Sequence, residues 1–162
     1  MNIEIIKADY LNEIHAKDIP FLLDNYARDP MGGGNTLSSE VKKNLVKELS
    51  KRPYAFSLIS YINGNAAGLI NCFEQFSTFS CKPVINIHDI IVLEEYRGHR
   101  LCHKMLEKVE EIATSKGACK LTLEILENNL PAKSSYSRFG FSDYELDPKM
   151  GKALFWQKII KK

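Results

Sequence analysis

The sequence has no long hydrophobic run and almost no excess of charge. No apolar stretch approaches the roughly 20 residues of a membrane-spanning helix. The first residues, Met1 to Glu4, lack the basic segment and apolar stretch of a secretory signal. Lys and Arg number 22 against 20 Asp and Glu, a net charge of +2. Since no aromatic-basic patch is present either, we expect no nucleic acid and no membrane as partner.

Cysteine and histidine are also sparse. The four histidines show no metal-ligand spacing, and the four cysteines form no Cys-x-x-Cys pair. We therefore expect no metal site. No cysteine has a histidine partner readable from the sequence, which argues against a nucleophilic thiol. Reduced thiols indicate a cytoplasmic protein; the cysteines are Cys72, Cys81, Cys102 and Cys119.

What the chain does have is an ordinary globular composition. Its 162 residues are 44% hydrophobic and 26% charged, enough for one compact domain with a proper core. We find no internal repeat, low-complexity tract or long linker. The sequence therefore predicts a single domain over residues 1–162.

Two helices are predicted in the N-terminal third. Asp18 caps the first, whose first turn carries Pro20, and the helix ends at the glycine-rich loop 29–34. Ser38 or Ser39 caps the second. The inward-facing residues of the second helix are predicted to be Val41, Leu45 and Leu49.

Strand signals surround and follow these helices. Residues 2–8 form a first strand, and Asn63-Gly64 between residues 54–61 and 66–76 is a strong hairpin signal. Residues 84–92 are a β-branched run typical of a central strand. The remaining predicted elements are a helix with a buried stripe (Leu101, Met105, Val109, Ile112 and Ala113), a strand at 120–125, a helix at 130–139, and strands at 142–145 and 153–160. The order β-α-α-β-β-β-α-β-α-β-β predicts a mixed α/β sheet.

The segment 90–103 is the most informative. A buried strand runs through a short turn into a long helix, whose start presents unpaired backbone N–H groups and a positive dipole end. Such a helix start suits a pyrophosphate. The alternative is a solvated helix start, and local physics does not choose between the two. The basic side chains here are Arg97, His99, Arg100, His103 and Lys104.

This segment carries a family motif of the form Arg/Gln-x-x-Gly-x-Gly/Ala. Arg97 fills its first position, Gly98 matches a frequent extra glycine, and Cys102 stands at the last small residue. Arg100 stands where the first motif glycine belongs. If that position needs a positive φ, a non-glycine residue costs on the order of 1 kcal/mol. The guanidinium can instead contact a phosphate.

Two later segments extend the match. Leu121 to Glu124 looks like the family's next strand, and Asn129, Tyr136 and Phe139-Gly140-Phe141 look like its closing motif. In these segments the chain resembles the GNAT superfamily of N-acetyltransferases. The resemblance implies an α/β fold with a mixed, mostly antiparallel central sheet, a splayed parallel strand pair and flanking helices.

The resemblance also implies acetyl-CoA (coenzyme A) as co-substrate. The pantetheine arm would pair with the backbone of the first splayed strand, the pyrophosphate would sit on N–H groups of residues 98–103, and Asn129 would touch the cofactor arm. The implied cofactor-binding residues are Ile90, Ile91, Val92, Arg97, Gly98, His99, Arg100, Leu101, Cys102, His103 and Asn129.

Acetylation of an amine needs a base, because a lysine-type amine has a pKa of about 10.4, and it gains from an acid at the leaving thiolate. Tyr136 matches the family tyrosine that protonates this thiolate. Glu124 matches a position where some members place a base. Asp89 is the second candidate, because its strand parity predicts that it interrupts an apolar face that carries Ile85, Ile87 and Ile91.

The acceptor is not specified by the sequence. In this fold it enters beside the first two helices, here residues 26–47, and we expect a primary amine of a small molecule or peptide. The competing hypothesis, kept open by Arg100, is a catalytically weak module that binds acyl-CoA and regulates a partner. Phe155-Trp156 in the last predicted strand can support a homodimer.

Overall fold

A five-stranded sheet forms the centre of the protein, whose computed structural model describes residues 1–160. Its strands lie side by side in chain order. Each neighbouring pair is antiparallel except the last, which is parallel. This arrangement confirms the mixed, mostly antiparallel sheet. The strands are β1 (Ile3–Lys7), β2 (Ala55–Ile62), β3 (Asn65–Ser77), β4 (Lys82–Val92) and β5 (Lys120–Leu123).

Four helices cover the two faces of the sheet: α1 (Glu13–Arg28), α2 (Ser39–Ser50), α3 (Leu101–Ser115) and α4 (Leu130–Phe139). Buried apolar residues of α1 and α2 pack on one face. Those of α3 pack on the other. We call these layers the α1-side core (Ile19, Leu22, Val46, Leu49, Ile59, Leu69, Ile91 and Leu93) and the α3-side core (chiefly Phe56, Leu58, Ile70, Cys72, Ile85, Ile87, Leu101, Met105, Leu106, Val109 and Ala113).

The hairpin between β2 and β3 forms as predicted. Asn63 and Gly64 both have a positive φ, 49° and 81°. Two positive φ values in a row are the signature of a type I′ turn, whose twist matches that of the flanking strands.

The start of α1 differs from the prediction. Asn12, not Asp18, caps the helix, its Oδ1 accepting backbone N–H groups two and three residues on at 2.9 and 3.2 Å. Asp18 instead accepts a hydrogen bond from the Tyr61 hydroxyl on β2 at 2.7 Å. Pro20 therefore lies inside the helix, where a proline costs about 3 kcal/mol. Burial of the apolar face, which includes the fully buried Leu22, offsets that cost.

The second helix is capped by Ser38, whose Oγ accepts the Val41 N–H at 3.2 Å. The prediction that Val41 faces inward is wrong, since this side chain is 40% exposed. Val46 and Leu49 are the buried residues of α2. Val41 lies in the first turn of α2, ahead of the two buried residues.

The two strands predicted at 142–145 and 153–160 are absent from the described residues. A single isolated bridge joins Glu145 and Lys152, across a short turn at Pro148–Met150. An extended segment becomes a strand only where another strand accepts its ladder hydrogen bonds. The outer edge of β5 receives no such strand among residues 1–160.

A buried carboxylate fixes the loop between α1 and α2. Asp24 on α1 is only 4% exposed. It accepts the Thr36 hydroxyl at 2.7 Å and the Leu37 N–H at 2.8 Å, and it pairs with Arg28 and Lys42. The Thr36 hydrogen bond is the largest cause that holds the pKa of Asp24 well below its usual range. Asp24 thus fastens the far end of the glycine-rich loop back onto α1.

We expect this carboxylate to contribute stability above the pKa of an unfolded aspartate, about 3.9. A depressed pKa means that the unfolded chain binds the proton more readily, so the contribution disappears as the pH falls below that value. Asp24→Asn should lower the urea midpoint at pH 7 and flatten its fall between pH 5 and pH 2. Glu110→Gln, at an exposed carboxylate on α3, is the matched control. An unchanged acid slope in Asp24→Asn would contradict the expectation.

Candidate active site

A β-bulge decides which face of the sheet carries the candidate carboxylate. On β4, Asp89 pairs with Asn71 of β3, whereas Ile87 pairs with the next residue of β3, so His88 has no partner. One unpaired residue reverses the alternation of side chains. Asp89 therefore lies on the α1 side with Ile91, and the prediction that it shares a face with Ile85 and Ile87 is wrong.

The parallel pair is splayed, as expected. β4 pairs with β5 only along residues 84–87, opposite 120–123. Beyond that, residues 88–92 of β4 face the gap with no strand of the described chain on that edge. A free strand edge offers backbone N–H and C=O groups to an extended ligand. Ile90, Ile91 and Val92, the predicted partners of the pantetheine arm, lie on this edge.

The turn after β4 leads into a helix start with unpaired donors. The backbone N–H groups of residues 98–103 meet no hydrogen-bond acceptor within residues 1–160. Gly98 has φ 84°, and Arg100, the N-cap of α3, has φ 57°. Arg100 thus adopts the left-handed conformation that the motif glycine would supply without strain. The predicted pyrophosphate site is a set of free N–H groups at the positive end of α3.

A cleft of about 650 Å³ opens at this helix start. Most of the residues predicted to bind the cofactor pyrophosphate line it, but His99 does not. Two lining residues that the sequence analysis missed come from α4, Ser135 and Arg138, three apart and so on one helix face. The lining residues are Val92, Tyr96, Arg97, Gly98, Arg100, Leu101, Cys102, His103, Ser135 and Arg138.

Arg97 and Asn129 have structural roles beside their predicted ones. The Arg97 Nε donates to the Val92 carbonyl at 3.2 Å, and its Nη2 lies 3.9 Å from Asp29 Oδ2 at the end of α1. Arg97 thus braces the turn while lining the cleft. Asn129 caps α4 by accepting the Ala132 N–H at 3.4 Å, and it does not line the cleft.

Tyr136 on α4 packs against the α3-side core near the splay. Burial is the main cause that raises the pKa of its hydroxyl well above the usual range, and Cys102 and Tyr26 add to it. No group within residues 1–160 forms a hydrogen bond to this hydroxyl that meets normal geometry. Tyr136 is therefore a protonated phenol with a free donor.

Tyr26 on α1 is a further candidate site residue, at the start of the segment 26–47 beside which the acceptor is expected. It packs against the α1-side core, on the face that carries Asp89. Burial raises the pKa of its hydroxyl, and the charges of Asp89 and Asp29 raise it further. Tyr26 in turn adds to the raised pKa of Tyr136. Asp89, Tyr26 and Tyr136 are thus a group of candidate site residues whose charges influence one another.

Glu124 is not part of that group. β5 ends at Leu123, and Glu124 follows as an exposed residue. Its side chain makes no salt bridge within residues 1–160. Of the two candidate bases, Asp89 is the one held by a hydrogen bond, which Asn71 Nδ2 donates at 2.9 Å.

The family model described as Acetyltransferase (GNAT) family matches residues 19–141. The chain belongs to the GNAT acetyltransferase family. This GNAT chain is 32% identical over 96 residues to an uncharacterized N-acetyltransferase of Archaeoglobus fulgidus, covering 59% of this chain and 65% of that protein. It is 39% identical over 71 residues to a thialysine N-epsilon-acetyltransferase of Bos taurus, covering 44% and 41%. The chain thus spans less than two thirds of the length of these curated relatives.

Solved structures of GNAT-like proteins share the whole fold. A probable acetyltransferase superposes with a TM-score of 0.81 at 19% identity, covering 98% of this chain and 99% of that one. The protein AAC(6')-Iy, solved with the bisubstrate analogue CoA-S-monomethyl-acetylneamine, gives a TM-score of 0.75 at 18% identity over 99% and 100%. At these identities the likeness shows the fold.

Proposed function

We propose that the protein transfers the acetyl group of acetyl-CoA to a primary amine of a small molecule or peptide by direct attack in a ternary complex. One observation carries the proposal. The free edge of β4 at residues 88–92 leads straight into the unpaired N–H groups of residues 98–103. The strand edge can bind an extended arm that carries amides, and the adjoining helix start can bind a pyrophosphate. Coenzyme A contains these two groups in the same order.

The side chains around the cleft fit the anion. Arg97, Arg100, His103 and Arg138 line it, and no carboxylate does. The three arginines are positive, and positive side chains around a helix start strengthen its attraction for phosphate oxygens. The structure of AAC(6')-Iy, which has the same fold, contains a bound CoA analogue, and this supports the same class of ligand here.

The chemistry requires two protons to leave the ammonium nitrogen and one proton to reach sulfur. Asp89 accepts the first proton, the neutral nitrogen attacks the thioester carbon, and a backbone N–H near Ile91 or Val92 stabilises the oxyanion. As the C–S bond breaks, Tyr136 donates a hydrogen bond to the departing sulfur, and the second nitrogen proton ends on that sulfur as the thiol proton. The products are the acetylated amine and coenzyme A with a free thiol, and Asp89 returns its proton to solvent.

The charges at the splay favour a cationic acceptor. Asp89 and Asp29 both act on Tyr26, and Asp29 lies at the end of α1, where the acceptor is expected. An ammonium group that enters here meets carboxylates before it loses its proton. The thialysine and ribosomal-protein acetyltransferase names of relatives are consistent with an amine acceptor.

Calorimetric titration with acetyl-CoA tests the proposal, followed by a thiol-release assay over a panel of primary amines. Micromolar binding together with amine-dependent thiol release is the expected result. Binding without release for any amine would favour the regulatory module instead. Failure to bind at millimolar acetyl-CoA would overturn both.

The variant Arg100→Gly allows the backbone strain of Arg100 and its contribution to acetyl-CoA binding to be measured separately. Removing a left-handed arginine should raise the free energy of unfolding by about 1 kcal/mol, measured by urea denaturation. Loss of the guanidinium should weaken acetyl-CoA binding about tenfold, the equivalent of one charged hydrogen bond. Arg100→Lys is the control, because it keeps the charge and the strain but loses the planar fork. Tighter binding by Arg100→Gly would show that the arginine is only a strained substitute for glycine.

We also propose a homodimer formed through the C-terminal segment 154–160. Its large apolar side chains are 75% to 84% exposed: Leu154, Phe155, Trp156, Ile159 and Ile160. Phe155 and Trp156 alone expose roughly 250–400 Å², a large share of the roughly 800 Å² that each partner contributes to a stable interface. Sedimentation velocity should give a dimer that Trp156→Ser dissociates. A monomer at 100 μM would contradict this.

We propose a cytoplasmic location from the state of the cysteine thiols. All four cysteines are free, and Cys81 and Cys119 are exposed. Exposed free thiols are typical of the reducing cytoplasm. Among the described residues no helix is both long and apolar enough to cross a membrane. Full labelling of the two exposed thiols by a maleimide in freshly lysed cells is expected, and prior oxidation would count against a cytoplasmic location.

A further inference from the structure

A line of polar side chains crosses the α1-side face of the sheet and ends on Asp89. The Asn71 Nδ2 on β3 lies 2.9 Å from Asp89 Oδ2, and the Asn71 Oδ1 lies 2.6 Å from the Ser57 Oγ on β2. The Ser57 Oγ lies 2.9 Å from the Tyr10 hydroxyl. Ser57 is fully buried and Asn71 is 3% exposed, and their neighbours along each strand are buried and apolar. Buried polar groups of this kind are costly unless every hydrogen bond is made.

The direction of each hydrogen bond follows from chemistry alone. A carboxylate only accepts, so the Asn71 amide must turn its NH₂ toward Asp89 and its oxygen toward Ser57. That oxygen only accepts, so Ser57 must donate its single proton to it. Tyr10 must then donate to Ser57. Since burial raises the pKa of the Tyr10 hydroxyl, this last donor keeps its proton.

We infer that Asn71 is a positioning residue for the reaction: oriented by Ser57 and Tyr10, it holds Asp89 by one carboxylate oxygen and leaves the other for the acceptor amine. The inference rests on the proposed role of Asp89 as base. The bulge at His88 is what turns Asp89 toward Asn71. Asp89 Oδ1 accepts no hydrogen bond within residues 1–160, so it is the oxygen available to the substrate.

A fixed carboxylate matters because proton transfer depends on geometry. A rotating carboxylate presents its free oxygen to the amine only part of the time, and a hydrogen bond at the other oxygen removes that freedom. Every donor in the line points the same way, from Tyr10 toward Asp89. The aligned dipoles favour the negative charge that the base carries before it takes the proton.

A double-mutant cycle on kcat tests the inference. We expect Asn71→Ala to lower kcat about 30-fold, the size of loss that follows removal of a hydrogen bond that orients a metal ligand, with the KM for acetyl-CoA unchanged. In an Asp89→Asn background the same change should cost less than about twofold, because the group it positions is gone. A loss of the same size in both backgrounds would show a structural role and overturn the inference.

Two further variants keep the test decisive if Asn71→Ala folds poorly. Tyr10→Phe keeps the ring and removes only the last donor, and we expect a loss in kcat of about threefold that vanishes in the Asp89→Asn background. Asn86→Ala is the matched control, a sheet asparagine with a 3.0 Å hydrogen bond to Thr122 and none to Asp89. Equal losses in Asn86→Ala and Asn71→Ala would also overturn the inference.

The outcomes separate the inference from the proposed function. Full activity in Asp89→Asn alone would remove Asp89 as the base, whatever Asn71 does. A large loss in Asp89→Asn with full activity in both Asn71→Ala and Tyr10→Phe would leave the base in place and remove only the positioning role.

Discussion

Tyr136→Phe is expected to lower kcat about 100-fold while the Kd for acetyl-CoA stays within twofold. The ring remains packed against the α3-side core, so the cleft at α3 keeps its shape. What is lost is the hydroxyl proposed to donate to the departing sulfur. General acids contribute roughly 10²- to 10⁴-fold, and the expected loss lies at the low end of that range.

The low end follows from the pKa of the tyrosine. Burial raises that pKa, which keeps the hydroxyl protonated at every working pH but makes it a weak acid. Complete transfer of its proton to a thiolate with a pKa near 8.5 is uphill. The hydroxyl therefore stabilises the departing sulfur chiefly as a hydrogen-bond donor while the charge develops.

Tyr26→Phe is the matched control for this prediction, because Tyr26 is a second partly buried phenol, and its charge influences Tyr136. We expect it to raise the KM of the amine with little effect on kcat. A 100-fold loss of kcat in Tyr26→Phe with normal turnover in Tyr136→Phe would transfer the acid role to α1. Stopped-flow measurement of thiol release with saturating substrates distinguishes the two.

Asp89→Asn is expected to lower kcat/KM for the amine about 1000-fold at pH 7.5. With a pKa near 10.4, about one amine in a thousand is neutral at that pH. Without a base, only the neutral fraction of the amine can react, so the rate falls by about the same factor. The loss should therefore shrink about tenfold for each unit by which the pH rises, as the amine loses its own proton in solution.

Glu124→Gln is the corresponding control, and we expect less than a threefold loss. Glu124 is exposed beyond the end of β5, whereas Asp89 is hydrogen-bonded within the site. A 1000-fold loss in Glu124→Gln with normal rates in Asp89→Asn would assign the base to the end of β5. Small losses in both would indicate a water-mediated base.

The elements set by local sequence were the predictable ones. Asn63-Gly64 encodes its turn through two positive φ values, and the strand, turn and basic helix start of residues 90–103 are contiguous. The cap of α2 at Ser38, one of the two predicted positions, follows from its own side chain. Each of these needs only neighbours within a few residues, which is what a single sequence contains.

The features that depend on distant partners were not predictable. Asp18 looks like a helix cap until Tyr61, on β2, binds it. The segment 153–160 is rich in strand-forming residues, yet no strand of the described chain lies beside it to complete a ladder. Asn71, a polar residue within an apolar strand, was the one available signal of the polar line to Asp89, because buried amides require partners.

The bulge on β4 lets this strand lose one residue without moving the carboxylate. Ile87 and Asp89 already pair with neighbouring residues of β3, and His88 is the extra residue between them. Deleting His88 would make Ile87 and Asp89 neighbours, and ordinary strand alternation would still put Asp89 on the α1 side, opposite Asn71. Through evolutionary time, loss of this one codon is therefore neutral for the position of the base. In an alignment of descendants of this gene, a gap at residue 88 leaves the aspartate in the site.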